Sequence, residues 1–156
     1  MEEVTTDDKL FNNSVALVTG GGSGIGEGIC LELGRQGATV VVADINHEGA
    51  ERVAASIEHN GEQALAVEVD VADASSVREA MKFVTGSFSG LDVLVNCAGV
   101  NRFSRPEEYS YDYWKELLTV NLEGTWNCCH AAMPLMMKQR RGKIVNIGSG
   151  CGILAI

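Results

Sequence analysis

The residues best suited to chemistry sit in one short run, Thr19-Gly-Gly-Gly-Ser-Gly-Ile-Gly26. Five glycines in eight positions let the backbone turn tightly and approach a bulky anion closely. The run follows an apolar stretch that reads as a strand and opens a segment whose Ile29, Cys30 and Leu33 form one helical face. In that context the backbone N–H groups at the helix start, reinforced by the helix dipole, suit a pyrophosphate. A nucleoside-triphosphate loop is excluded, because Glu27 and Gly28, not Lys and Ser or Thr, follow Gly26. A methyltransferase-type turn is excluded as well, since Leu17-Val18-Thr19, with no acid, precedes the first glycine. Asp44 ends the next strand-like run, 18 residues after Gly26. An acid at about that distance suits the ribose hydroxyls of an adenine dinucleotide and repels a 2′-phosphate. Ser23 inside the turn and Ile45 after the acid leave no local Arg or Lys to receive such a phosphate, so the residues favour NAD(H) over NADP(H).

These groups need a scaffold, and the remaining pattern supplies one. Val15–Thr19, Thr39–Ala43, Asp92–Asn96 and Lys143–Ile147 are short β-branched runs, apolar at consecutive positions. Such runs fit parallel strands covered on both faces. The less uniform Ala64–Val69 suits an edge. Between them, Ala50, Val53, Ala54 and Ile57, and then Val77, Ala80, Met81 and Val84, recur at helical spacing. Asn46 is placed to cap the first of these helices. A longer helical region spans about Tyr109 to Gln139. The alternation predicts one α/β structure with a parallel sheet and right-handed crossovers, over residues 12–156, behind an acidic N-terminal segment at 1–11.

Composition narrows the partners. Of 156 residues, 46% are hydrophobic and 21% charged, which excludes disordered and coiled-coil classes. Lys and Arg number 12 against 21 Asp and Glu, a net charge of −9. That balance argues against nucleic acid and anionic membranes. The start, MEEVTTDDKL, has neither the basic nor the apolar part of a signal peptide, so a cytoplasmic location is expected. Cys30, Cys97, Cys128, Cys129 and Cys151 form no Cys-x-x-Cys pair, and His47, His59 and His130 lack ligand spacing. Neither a disulfide framework nor a metal site is expected.

Taken in order, the motifs resemble those of the short-chain dehydrogenase/reductase family. Thr19–Gly26 is similar to its Thr-Gly-x-x-x-Gly-x-Gly cofactor turn. Asp70-Val71 resembles its adenine-contacting pair, and Asn96-Cys97-Ala98-Gly99 its Asn-Asn-Ala-Gly motif with Cys97 in place of the second Asn. Asn121, in Val-Asn-Leu-Glu-Gly, resembles its helix asparagine. Ile144–Ser149 resembles its fifth strand and serine, with Gly148 where a Ser is common. The resemblance implies a doubly wound sheet in the order 3-2-1-4-5, C-terminally incomplete. It implies NAD(H)-dependent hydride transfer on an alcohol or ketone. Cofactor binding falls to Thr19, Gly20, Ser23, Gly24, Ile25, Gly26, Asp44, Ile45, Asp70, Val71, Asn96, Ala98 and Gly99. Ser149 would hold the substrate oxygen and Asn121 a relay water.

The family's acid–base tyrosine, with a lysine four residues on, is expected to be missing, since only seven residues follow Ser149. Tyr111-Asp-Tyr-Trp-Lys115 matches Tyr-x-x-x-Lys by letter but stands ahead of the fifth strand, where the family places no catalytic pair. The expectation is therefore a dehydrogenase portion inactive by itself and prone to self-association. The alternatives are a non-catalytic NAD(H)-binding regulator and an interaction protein completed by a partner.

Overall fold

The structure, a computed structural model, describes residues 9–102 and 105–149. Most of the acidic N-terminal segment, Cys151 and the apolar ending with Ile153, Leu154 and Ile156 lie outside the described residues.

Among the described residues five strands form one parallel sheet: β1 (Val15–Thr19), β2 (Thr39–Asp44), β3 (Ala64–Glu68), β4 (Val93–Asn96) and β5 (Lys143–Asn146). Their order is β3-β2-β1-β4-β5. Helices α1 (Gly24–Arg35), α2 (His47–His59), α3 (Ala74–Ser87), α4 (Tyr111–Leu118) and α5 (Gly124–Gln139) make the crossovers. The β3 edge is where the less uniform run predicts it.

The consecutive apolar runs have a direct cause. In β1, Val15 and Leu17 join Val41, Ala43 and Leu94 in a core under α3 and α5, which contribute Val77, Val84, Cys128 and Ala132. The intervening Ala16 and Val18 join Val40, Val42, Val93 and Val95 in a second core under α1 and α2, with Cys30, Val53 and Ile57. Both faces are covered, so alternation is lost. At β5 this breaks down: Ile144, Val145 and, just beyond, Ile147 are 36%, 45% and 42% exposed. Among the described residues β5 pairs with β4 on one side only.

Asn46 caps α2, its side chain accepting from the Gly49 N–H at 3.2 Å. The region from Tyr109 to Gln139 is not one uniform helix. A π-helical turn, Thr119–Glu123, separates α4 from α5, and a 3-10 turn at Pro106–Glu108 precedes α4.

Register aligns the chemistry. Thr19 pairs with Ala43 on one side and Asn96 on the other, and Asn96 with Asn146. These are the carboxyl ends of β2, β1, β4 and β5. The chain order reverses between β1 and β4, the switch point at which open α/β sheets leave a crevice.

Candidate cofactor-binding site

A groove of about 490 Å³ opens over that switch point. Its wall contains Gly20, Ser23, Gly24, Ile25, Gly26, Asp44, Ile45, Asp70, Val71, Ala98 and Gly99, eleven of the thirteen residues expected to bind cofactor.

The turn's geometry requires glycine at two points. Gly20 adopts φ +66°, and a Cβ there would lie 2.8 Å from the Ala98 Cα. A Cβ on Gly26 would collide with the Gly20 carbonyl oxygen. The first turn of α1 is thus pressed onto the end of β1, which leaves an open cradle on the outer side at Ser23, Gly24 and Ile25, all exposed. The N-cap Ser23 makes no side-chain cap bond.

Asp44 is anchored without being saturated. Its Oδ2 accepts from the Gly22 N–H at 2.9 Å and its Oδ1 from the Asn46 N–H at 2.9 Å. A carboxylate has about four lone-pair sites, so capacity remains for two hydroxyl groups. Ile25 and Ile45 stand 68% and 67% exposed on the same groove, apolar surface suited to a flat ring. Asp70 Oδ1 accepts from the Ala72 N–H at 2.9 Å, closing a small turn that presents Val71.

The other two expected contacts lie beneath the groove. Thr19 is 2% exposed, and its Oγ1 accepts from the N–H groups of Cys97 and Ala98 at 3.1 and 3.2 Å. It pins the loop after β4 to the end of β1. Asn96 is 4% exposed and donates from Nδ2 to Asn146 Oδ1 at 2.8 Å and Cys129 Sγ at 3.3 Å. Both residues shape the floor without lining the groove.

Asn121 sits in the π-helical turn. Its Oδ1 accepts from the Val100 N–H at 2.8 Å and its Nδ2 donates to the Val100 carbonyl at 2.9 Å. That pair of hydrogen bonds ties the helical region to the loop carrying Ala98 and Gly99. Ser149 is exposed beyond β5 and is not in the groove wall, although Ile147 is. Tyr111 is 71% exposed, with the Lys115 Nζ 4.8 Å from its ring centroid, and neither lines the groove. Tyr113 is buried, and the Tyr109 hydroxyl donates to the Arg102 carbonyl at 2.9 Å. All three tyrosines of the chain therefore lie outside the groove wall.

Sequence reasoning missed Val69, Cys97, Val100, Glu116, Val120 and Ile147 in the wall. Glu116 and Val120 carried a usable signal, standing four apart on a helix that leads to Asn121. Burial pushes the Cys97 thiol up from its ordinary value. Near the turn, hydrogen bonds from Arg52 hold the Glu27 carboxyl below the usual range. Among the described residues no group of three or more His, Cys, Asp or Glu could hold a metal, and no helix is long and apolar enough to cross a membrane.

A family model described as short chain dehydrogenase matches residues 14–156. D-threitol dehydrogenase of Mycolicibacterium smegmatis is 38% identical over 156 residues, 99% of this chain and 60% of that protein. The uncharacterized oxidoreductase SA2266 of Staphylococcus aureus is 36% identical over 143 residues, 92% of this chain and 61% of that protein. The crystal structure of gox2181 superposes with a TM-score of 0.90 at 32% identity, covering 93% of this chain and 57% of that one. The chain spans about 60% of the length of the curated relatives it matches.

Proposed function

From the premise that this chain belongs to the short-chain dehydrogenase family, we propose that it binds NAD(H) in preference to NADP(H). In the family such binding serves hydride transfer on an alcohol or ketone carbon. The carrying observation is the Asp44 carboxylate, held at the groove by two backbone N–H groups with lone pairs to spare. Its charge opposes a 2′-phosphate, while its free lone pairs suit ribose hydroxyls. Gly20 and Gly26 fit the same ligand, since a Cβ at either would disrupt the cradle for the phosphates.

A bound nicotinamide supplies or accepts the hydride. The chain's own residues hold and orient it. The turn at Ser23–Gly26 would receive the phosphates, and Ile45, Asp70 and Val71 would line the adenosine side. Ala98 and Gly99 would support the nicotinamide end, on the loop that Asn121 fixes through Val100. Among the relatives, one is named for a polyol, D-threitol, which suits an alcohol as the substrate class. No tyrosine lines the groove, so the reading for the 156-residue chain by itself is cofactor binding without turnover.

Calorimetric titration of the chain with NAD⁺, NADH and NADP⁺ tests the cofactor reading. Binding of the first two, with NADP⁺ weaker, is expected. Equal or tighter NADP⁺ binding overturns the preference, and no binding of any of the three overturns the cofactor reading.

A further inference from the structure

Glu27 poses a problem for a phosphate ligand. It lies in the first turn of α1, where the helix dipole and free N–H groups favour an anion. A bare carboxylate at that place would repel the pyrophosphate that the turn is shaped to receive. The chain answers with a cation from another element. Arg52, on α2, donates from Nη1 and Nη2 to Glu27 Oε1 and Oε2 at 2.7 Å each, a bidentate pair. Its Nη2 also donates to the Gly22 carbonyl at 3.0 Å, inside the glycine turn. Gly22 in turn directs its N–H to Asp44. One guanidinium therefore touches the turn and neutralises the acid beside it, while staying out of the groove wall. The Glu27 side chain is 27% exposed and that of Arg52 57%, and an exposed ion pair of this kind contributes little to folding stability. Its effect belongs to ligand binding.

We infer that Arg52 is a positioning residue for the dinucleotide: it neutralises Glu27 and is fixed at Gly22, so that the first turn of α1 presents net positive potential to the phosphates. The inference rests on the dinucleotide reading above. It goes beyond that reading by assigning phosphate affinity to a pair outside the groove wall.

The test is titration with NAD⁺ and with ADP-ribose of the wild type, Arg52→Gln, Glu27→Gln and the double variant, at low and moderate salt. Arg52→Gln should weaken both ligands roughly five- to twentyfold, as expected for an uncompensated carboxylate in the helix turn that faces the phosphates. Salt should shrink the loss. Glu27→Gln should bind as well as wild type or better. The double variant should bind within about threefold of Glu27→Gln, because removing the acid removes the need for the cation. If Arg52→Gln fails to fold, the comparison of Glu27→Gln with the double variant still decides. Wild-type affinity in Arg52→Gln, or a double variant much weaker than Glu27→Gln, overturns the inference and leaves the dinucleotide reading standing. A wild type that binds neither ligand overturns both.

Discussion

Asp44 carries the largest single expectation, because its carboxylate lines the groove with lone pairs to spare after two backbone hydrogen bonds. Asp44→Ala should weaken NAD(H) roughly ten- to a hundredfold, the loss of about 1.5–3 kcal/mol expected for hydrogen bonds to a charged group. The same change should weaken NADP(H) less and narrow the gap between them, which paired titrations will read. The cysteines give a second measurement. Burial pushes the Cys30 and Cys128 thiols up to about 12, so at neutral pH they are protonated and enclosed. They should resist alkylation until the chain unfolds. Cys97 is half-buried in the groove wall and should react slowly, and saturating NAD⁺ should slow it further. Mass-spectrometric mapping checks both, and undiminished Cys97 labelling under NAD⁺ would contradict the placement of the ligand. The legibility of these residues differed for a physical reason. Asp44 and the glycines announce themselves by local spacing, because strand, turn and helix are contiguous. Thr19 and Asn96 were legible as motif members, yet their burial depends on strands brought together from distant segments. Arg52 gave no signal at all, since its partner Glu27 is 25 residues away and meets it only through helix packing.

At the scale of elements, the glycine turn works because α1 is seated against the end of β1. Gly26→Ala places a methyl group where the Gly20 carbonyl stands, so either the helix shifts or the turn opens. Loss of NAD(H) binding is expected together with a destabilisation of about 1–3 kcal/mol, the usual range for forced overpacking. Denaturant melts of the variant check the second part. Intact binding with unchanged stability would show that the turn is looser than its geometry. Strands were read well from sequence, to within a residue or two at their ends, because covering both faces of a parallel sheet imposes consecutive apolar residues on β1, β2 and β4, while the edge strand β3 shows a less uniform run. The region from Tyr109 to Gln139 was read only coarsely. Apolar spacing reports that a helix is present, but not the single-residue slip of its hydrogen-bond ladder. The π-helical turn at Thr119–Glu123 arises where Asn121 must reach across to Val100, a tertiary demand invisible in the local pattern.

For the whole molecule, two expectations join the open side of the sheet to the chemistry of the groove. β5 has the composition of a strand buried on both faces, yet Ile144 and Val145 are exposed and, among the described residues, only its β4 side is paired. Unpaired apolar edges recruit other chains, so light scattering should find the 156-residue chain associating as its concentration rises, and a sharp monomer at all concentrations would refute this. The second expectation concerns turnover. Hydride transfer on an alcohol or ketone needs a group that gives or takes a proton at neutral pH. The groove wall offers Asp44, Asp70 and Glu116 as its ionisable carboxylates, two of them at the adenosine end, and no tyrosine. Asn121 is engaged through both side-chain atoms with Val100, and neither it nor Ser149 titrates in the neutral range. Lacking a positioned acid–base group typically costs 10²–10⁴-fold in rate. The chain alone should therefore bind NAD⁺ and show no steady-state NADH production above background with polyols or simple secondary alcohols. The only Tyr-x-x-x-Lys spelling, Tyr111 to Lys115, lies on the solvent face of α4 with the ammonium stacked over its own ring. Tyr111→Phe and Lys115→Ala should leave that background unchanged. Appending a family-like segment that carries Tyr-x-x-x-Lys after the fifth strand should restore turnover, and Ser149→Ala should then remove most of it. Robust oxidation by the 156-residue chain that disappears in Tyr111→Phe would place the proton transfer on α4 and overturn the assignment.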